Sequence, residues 1–402
     1  MIEKAKKRNR SCKKTTADVI VSTAKRRKAL QIRRRGRGGA KATATTAEKR
    51  SQSCLINRLP RDALMAILST LRVKSLLQLR CVCKSWYTLI SNIHFVKTHL
   101  NRSITSPNIL RQRQHILISN NLIPDCPYAF SLESAADNDE GDIEAYVVEI
   151  DYIVEKEQSP CSIIGSCHGL LCLKFGARAF YVCNLSTRES KRIPDFKFSY
   201  WKNFYILGFG YDHSVDDYKL VKGDKNSFHV YSLRTDSWKK VQGFPNNHWP
   251  ITHGILLNGA IHWLYVDKDS LLPTKIVAFC LADEKFLEFP VPTLAVGIVF
   301  NFGLLGGCLC ILPFCGNEFW LMKEYGVTQS WTKVVIEIPS VRIHTLALLK
   351  NHEAILKIDS KKLVLYNTRE RTYRDLVLRD FPDVNKILNA EAYVESLVSP
   401  CQ

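Results

Sequence analysis

A pattern that recurs five times between residues 180 and 382 constrains the fold most strongly. Each copy holds a short strand-like run, a charged turn, a second run, and then an apolar residue followed by proline. The prolines that close the copies are 43 to 51 residues apart. A repeat of this length, with room for four short strands, is typical of a β-propeller blade. We therefore predict an all-β propeller over residues 105–398, with about six blades and about seven as the alternative. The closing prolines are Pro194, Pro245, Pro290, Pro339 and Pro382.

Apolar hairpins separate these copies. The pairs Asn258-Gly259 and Gly306-Gly307 lie between apolar runs, where such pairs favour two-residue turns. The second pair lies within Phe289–Asn317, which has no charged residue and is long enough to be taken for a membrane-spanning helix. Five glycines and Pro313 in that stretch would destabilise such a helix. We therefore predict a buried hairpin there, and no membrane partner.

The basic residues are concentrated at the amino-terminal end. Residues 1–50 hold 18 Lys and Arg against three acidic residues, whereas the other 352 residues hold 39 against 35. A segment this polar cannot bury enough apolar surface to fold, so we predict that residues 1–53 form a disordered basic tail. Its clusters are typical of a nuclear-localisation signal; a solvated extension without a partner and an organellar transit peptide are the alternatives. The residues assigned to the signal are Lys25, Arg26, Arg27, Lys28, Arg33, Arg34 and Arg35.

The tail predicts a nuclear protein, with the cytoplasm as the second compartment. Nucleic acid is not the expected partner, because the first 53 residues contain no aromatic side chain to stack on bases. No apolar stretch follows the basic start, so a secretory signal is not expected. The 14 cysteines are then predicted to be reduced thiols.

Residues 54–101 are predicted to form a small all-α domain of two or three short helices. Leu64, Ile67, Leu68 and Leu71 have the spacing of one helical face. Ser75 with Gln78 has the form of a capping box that opens a second helix, which is predicted to run past Trp86. So few residues cannot cover all of these apolar side chains by themselves. Part of the surface must therefore pack on the rest of the chain or on a partner.

Several strings in this segment resemble the F-box family. They are Leu59-Pro60-Arg61-Asp62-Ala63-Leu64, Val73-Lys74-Ser75-Leu76-Leu77 and Arg80-Cys81-Val82-Cys83-Lys84-Ser85-Trp86. The resemblance implies a module of three short helices that binds a Skp-type adaptor and, through it, the cullin of a ubiquitin ligase. It departs from the family at Ala66, where Glu is usual, and at Arg72, where Pro is usual; a charge at Arg72 would weaken docking. The residues implied to bind the adaptor are Leu59, Pro60, Leu64, Ile67, Leu68, Leu71, Val73, Leu76, Leu79, Val82, Cys83 and Trp86.

The repeat region resembles the plant F-box-associated domain, which is kelch-like. Matching strings include Gly165-Ser166-Cys167-His168-Gly169, Gly208-Phe209-Gly210-Tyr211-Asp212 and Asn258-Gly259-Ala260-Ile261-His262-Trp263. The acidic stretch Glu133–Glu157 fits poorly and is predicted to be a loop between early strands. Together the two resemblances imply the substrate-recognition subunit of a Skp–cullin–F-box ubiquitin ligase. Its propeller would bind an unidentified protein substrate through loops at one rim.

No catalytic residue, metal site or cofactor is predicted. Cys167 and His168 would point to opposite faces of a strand, and Cys81 and Cys83 would face apart on a helix. The group Cys308, Cys310 and Cys315 lacks the spacing of a zinc site. Trp238, Trp263 and Trp331 occupy repeat positions and are predicted to lie in blade cores. The alternatives are a propeller enzyme and a nuclear propeller that binds protein or nucleic acid outside a ligase.

Overall fold

The computed structural model describes most of the chain from residue 60 onward. The described ranges are 60–119, 127–131, 133, 136–137, 143–150, 161–176, 179–195, 206–223, 227–242, 249–250, 253–267, 272–292, 300–313, 318–338, 343–348, 353–358, 362–381 and 389–401. The basic tail and its predicted nuclear signal lie outside these residues, as does Leu59.

Five helices come first in the described part of the chain, where three were predicted. They are α1 (Arg61–Leu68), α2 (Val73–Arg80), α3 (Lys84–Ile90), α4 (Ile93–Thr105) and α5 (Pro107–Arg113). The last predicted piece is the 13-residue helix α4, whose amino end is capped by Asn92. None of the described helices is long and apolar enough to cross a membrane.

The predicted second helix is divided in two. Helix α2 ends at Arg80, Cys81 and Val82 form a turn, and α3 starts at Lys84. The capping box at Ser75 was wrong, because α2 already begins at Val73 with Arg72 as its N-cap. The prediction that Cys81 and Cys83 face apart on a helix was also wrong, because the break leaves neither residue helical. Pro60 occupies the N-cap of α1 rather than its first turn.

The strands of the described residues form six sheets. In chain order they are β1 (Gln114–Ser119), β2 (Tyr128–Ser131), β3 (Ala136–Asp137), β4 (Ile143–Tyr146), β5 (Val148–Glu149), β6 (Cys161–Cys167), β7 (Leu170–Phe175), β8 (Ala179–Asn184), β9 (Glu189–Arg192), β10 (Ile206–Asp212), β11 (Asp217–Gly223), β12 (Phe228–Ser232), β13 (Ser237–Val241), β14 (Trp249–Pro250), β15 (Ile255–Leu257), β16 (Ala260–Val266), β17 (Pro273–Cys280), β18 (Phe286–Pro290), β19 (Phe300–Leu305), β20 (Cys308–Pro313), β21 (Glu318–Met322), β22 (Trp331–Val335), β23 (Ile343–Leu348), β24 (Glu353–Ile358), β25 (Lys362–Asn367), β26 (Thr372–Arg379) and β27 (Asn389–Val394).

These sheets are the blades of a six-bladed propeller, which confirms the predicted fold. Blade 1 has the order β27-β1-β2-β5, and blade 2 has the order β6-β7-β8-β9. Blades 3 to 5 start at β10, β14 and β19, and blade 6 starts at β23. Because β27 pairs with β1, the last strand of the chain closes the ring against the first. The five proline-terminated copies correspond to the two outer strands of blades 2 to 6.

Two kinds of turn connect the strands at one end of the blades. The hairpins β15–β16 and β19–β20 turn at Asn258-Gly259 and Gly306-Gly307, where both residues have positive φ. This geometry confirms the two predicted turns and the predicted hairpin in Phe289–Asn317. The charged turns before the outer strands each place one non-glycine residue at positive φ, namely Arg188, Asp236, Glu284 and Arg371.

The acidic stretch is not the simple loop that was predicted. Within it, β4 pairs in parallel with β26 and so extends the outer edge of blade 6. The next strand, β5, pairs with β2 and completes blade 1. Ile143 and Ala145 are buried in the core shared by these two blades. Their alternation with Glu144 and Tyr146 is the period-two signal that the acidic composition obscured.

Candidate protein-docking surface

The first four helices and the propeller share one hydrophobic core. Leu68, Val73 and Leu76 of α1 and α2 belong to the same buried cluster as Phe95 and Leu100 of α4. That cluster continues into blades 2 and 3, with Cys167, Leu170, Leu207, Phe209 and Leu233, and into the carboxyl end of the chain, with Leu397 and Val398. The alternative that the helical segment packs on the rest of its own chain therefore holds for one of its faces.

Ion pairs fix the helices to the turn end of the blades. Lys97 of α4 pairs with Asp216 in the β10–β11 turn at 2.5 Å, and Tyr211 donates a hydrogen bond to the same carboxylate. The two bonds lower the pKa of Asp216, because both favour its charged form. Arg72, at the N-cap of α2, pairs with Glu133. The contacts with Asp216 and Glu133 both join a basic helix residue to an acidic propeller residue.

Arg113 connects the loop between α1 and α2 to the start of the propeller. This residue ends α5, directly before β1, and is only 1% exposed. Its guanidinium donates to the carbonyls of Ser69 at 3.1 Å and Leu71 at 2.6 Å, and to Ser103 Oγ. Burial lowers its pKa to about 10, so the group is still charged at neutral pH. No periodic signal in the sequence identifies this buried charge.

Three residues predicted to bind an adaptor are instead core residues. Leu68 is 2% exposed, and Val73 and Leu76 are fully buried. Leu64, Leu71, Leu79 and Trp86 are half-buried and pack against the same core. These side chains hold the helices together and against the blades. The three buried ones offer no surface to a second protein, whereas the half-buried ones keep part of theirs accessible.

The parts of the helical segment that do not pack against the core, here called its outer face, present exposed apolar side chains. Ile67 of α1 is 52% exposed and Val82, before α3, is 68% exposed. Tyr87 of α3 and Ile93 of α4 are 59% and 53% exposed. Pro60 and Cys83 are also exposed. The sequence reasoning missed Tyr87 and Ile93; recognising a separate helix at Lys84 would have placed Tyr87 on the outer face.

The two departures from the F-box pattern have structural consequences. The Arg72 guanidinium donates to the Gln112 carbonyl at 2.9 Å besides pairing with Glu133, so its charge is used within the chain. Ala66 is exposed on α1, and its carbonyl accepts a hydrogen bond from Arg102 at 3.0 Å. Arg102 also donates to Ser69 Oγ at 2.9 Å, which joins α4 to the end of α1.

The cysteines and histidines weighed for chemistry occupy structural positions. His168 lies in the β6–β7 turn with φ of 53°, beside Tyr211 and Tyr218. Burial raises the pKa of the Cys172, Cys183 and Cys310 thiols, which keeps them protonated. Within the described ranges, no group of three His, Cys, Asp or Glu side chains is placed to hold a metal ion. Trp263 is fully buried in a blade core, Trp331 is nearly so, and Trp238 is half-buried.

Comparison with known proteins identifies the two parts of the chain. Residues 56–98 match the F-box domain model, and residues 126–399 match the model of the F-box associated beta propeller domain. The F-box protein CPR1 of Arabidopsis thaliana is 27% identical over 389 residues, covering 86% of this chain and 89% of that protein.

A second relative and a solved structure extend the comparison. The F-box/kelch-repeat protein At3g23880 of Arabidopsis thaliana is also 27% identical, covering 86% of this chain and 96% of that protein. A chain in the crystal structure of a nidogen/laminin complex aligns with a TM-score of 0.46 and 11% identity, covering 70% of this chain and 99% of that chain. With most of its length matched by the propeller model, this chain belongs to the family of F-box proteins that carry an F-box-associated β-propeller domain.

Proposed function

We propose that this protein is the substrate-recognition subunit of a Skp–cullin–F-box ubiquitin ligase. Its F-box helices bind a Skp-type adaptor, and its propeller binds the protein to be ubiquitinated. The chain itself is then a non-catalytic receptor, because ubiquitin transfer takes place on other subunits. The family match and the relatives named above support this role in general.

One observation about the helices carries the proposal. Their inner face is buried against the propeller, yet their outer face leaves Ile67, Val82, Tyr87 and Ile93 at least half exposed. Exposed apolar side chains grouped on a small module mark a protein-interaction surface. Covering one such side chain contributes up to about 1.5 kcal/mol, so a few of them suffice for a specific contact.

Co-purification of the full chain with a purified Skp-type adaptor tests the proposal. Ile67→Asp and Val82→Asp place a charge on the outer face without touching the core. We expect each variant to bind the adaptor at least about tenfold more weakly, since an unpaired charge at an interface is costly to desolvate. Leu287→Asp is the matched control, because Leu287 is 50% exposed on β18 of the propeller.

The design separates docking from folding. All three variants should keep the circular dichroism spectrum of the wild type, and only the two helix variants should lose the adaptor. Absence of binding by the wild type, or equal loss in Leu287→Asp, would contradict the proposal.

The tail is assigned a separate role. We infer that Lys25–Lys28 and Arg33–Arg35 direct the protein to the nucleus, on the support of their basic clusters alone. A fluorescent fusion lacking residues 1–53 should then lose nuclear accumulation while still binding the adaptor. Equal nuclear accumulation of both fusions would contradict this role.

A further inference from the structure

A groove crosses the outer side of the F-box helices. Its larger part, of about 500 Å³, is lined by Arg61 of α1 and by Lys84, Ser85, Thr88 and Leu89 of α3. A second part, of about 360 Å³, lies between α1, α3 and α4 and also includes Arg61 and Leu89. Because the two parts share Arg61 and Leu89, they are neighbours, and together they are called the groove.

Arginine and lysine outnumber carboxylates in the lining of this groove. Arg61, Lys84 and Arg102 contribute, and Asp62 is the one carboxylate among the lining residues. Arg61 and Lys84 make no ion pair with any residue that the structure describes. Met65 and Leu89 supply apolar surface between the charges. The groove therefore combines fixed positive charge with an apolar floor.

The charge of the groove is part of a wider imbalance in the helices. Residues 60–113 contain nine Lys and Arg against a single acidic residue, Asp62. Arg72 and Lys97 are neutralised by propeller carboxylates, and Arg113 is buried. Arg80 interacts electrostatically with Glu189, and Arg102 donates to Ala66 and Ser69. Arg61 and Lys84 have no such partner among the described residues. A partner that covers this side must supply negative charge, since burying unpaired cations is unfavourable.

We propose that this groove binds an acidic segment of the Skp-type adaptor, so that docking is driven by charge as well as by apolar contact. This inference rests on the proposed function and specifies the chemistry of the partner. Carboxylates of the segment pair with Arg61 and Lys84 at the open end of the groove. Apolar residues of the segment contact Met65 and Leu89. Asp62 opposes the incoming charge and sets an upper limit on the affinity.

Titration calorimetry of the full chain with purified adaptor tests this at two salt concentrations. We expect the dissociation constant of the wild type to rise at least tenfold between about 50 mM and about 500 mM NaCl, because screening weakens exposed ion pairs. The double variant Arg61→Glu with Lys84→Glu should bind about tenfold or more weakly at low salt and show little salt dependence. Both residues open their helices, where a glutamate favours folding.

Two further variants make the test specific. Lys240→Glu with Lys285→Glu changes the same total charge on exposed propeller lysines that have no ion pair in the described ranges, and should bind like the wild type. Asp62→Asn should bind about twofold to threefold more tightly, since it removes the opposing carboxylate.

The outcomes distinguish this inference from the proposed function. Equal dissociation constants for the two double variants, or wild-type binding that is insensitive to salt, would overturn the acidic partner while leaving adaptor docking intact. Loss of binding in Ile67→Asp, with full binding kept in Arg61→Glu with Lys84→Glu, would also overturn the acidic partner and leave adaptor docking intact. A wild type that binds no adaptor at either salt concentration would overturn both. An acidic segment of this chain already seated in the groove would make Arg61→Glu with Lys84→Glu bind more tightly, which also refutes the inference.

Discussion

Replacing Arg113 by methionine should destabilise the attachment of the F-box to the propeller. Methionine keeps an unbranched stem, although it is shorter than arginine, and it removes the charge and the donors. The Arg113 guanidinium makes three hydrogen bonds in a site that is 1% exposed to solvent. Two of its acceptors are the carbonyls of Ser69 and Leu71, in the connection between α1 and α2. The variant therefore breaks the direct polar link between that connection and β1.

The expected loss of unfolding free energy depends on which hydrogen bonds the three acceptors of Arg113 keep in the variant. The Leu71 carbonyl retains a contact with His99 Nε2 at 3.0 Å, and Ser103 Oγ still donates to the His99 carbonyl at 2.9 Å. Only the Ser69 carbonyl loses its side-chain donor without a replacement. A hydrogen bond from a charged donor contributes about 1.5–3 kcal/mol, and relief of arginine desolvation returns part of the total. We expect the free energy of unfolding to fall by about 3 kcal/mol.

Urea unfolding followed by circular dichroism measures this loss, with Arg111→Met as the matched control. Arg111 lies on the same helix and is exposed, and its side chain has no hydrogen-bond partner among the described residues. Hydrogen exchange should show faster exchange in α1 and α2 and unchanged protection in β1 and β27. If the two methionine variants unfold within about 1 kcal/mol of each other, Arg113 does not hold the module in place.

Three other predictions address burial and pH. Leu68→Asp should unfold the helices rather than merely block docking, because Leu68 is 2% exposed; a folded Leu68→Asp protein would contradict the core assignment. Burial lowers the pKa of His99, His253 and His262 to about 4. Between about pH 4 and pH 6.5 the unfolded chain therefore binds more protons than the folded one. In urea titrations the free energy of unfolding should be highest above about pH 6.5 and should fall toward pH 4. Burial raises the pKa of Glu391 to about 7, so Glu391→Gln should stabilise the protein at pH 8 and leave it unchanged near pH 4; stabilisation at both would refute the assignment.

Local signals in the sequence were sufficient for the propeller. The turn at Asn258-Gly259 needs positive φ at both residues, and the structure has 50° and 74° there. A charged turn flanked by two strands and closed by proline defines the outer pair of a blade without reference to distant residues. What the repeat could not reveal is the parallel pairing of β4 with β26, because that contact joins residues more than 200 positions apart.

The docking surface was less predictable because burial is decided by long-range packing. Ile67 and Leu68 are adjacent apolar residues of the same helix, yet one is 52% exposed and the other is 2% exposed. Helical spacing predicted that both lie on one apolar face. Spacing alone does not show which side of α1 contacts blades 2 and 3. The break at Cys81–Cys83 was missed because it contains neither glycine nor proline and the apolar spacing continues across it. A buried charge such as Arg113 depends on carbonyls some 40 residues away in the chain.

The near-neutral charge of the folded part conceals two components of opposite sign. Residues 60–113 carry nine basic residues and one acidic residue, whereas residues 114–402 carry 29 basic and 34 acidic. The ion pairs of Arg72 and Lys97 with propeller carboxylates join these components, so charge attraction adds to the shared apolar core. Such pairs use only the cations on the inner side. The outer cations, Arg61 and Lys84 among them, repel one another while the surface is free. Binding an acidic partner relieves that repulsion, whereas binding a neutral one does not. The excess of basic residues in the F-box therefore has two effects: it attaches the F-box to the propeller, and it favours an acidic partner on the outer side.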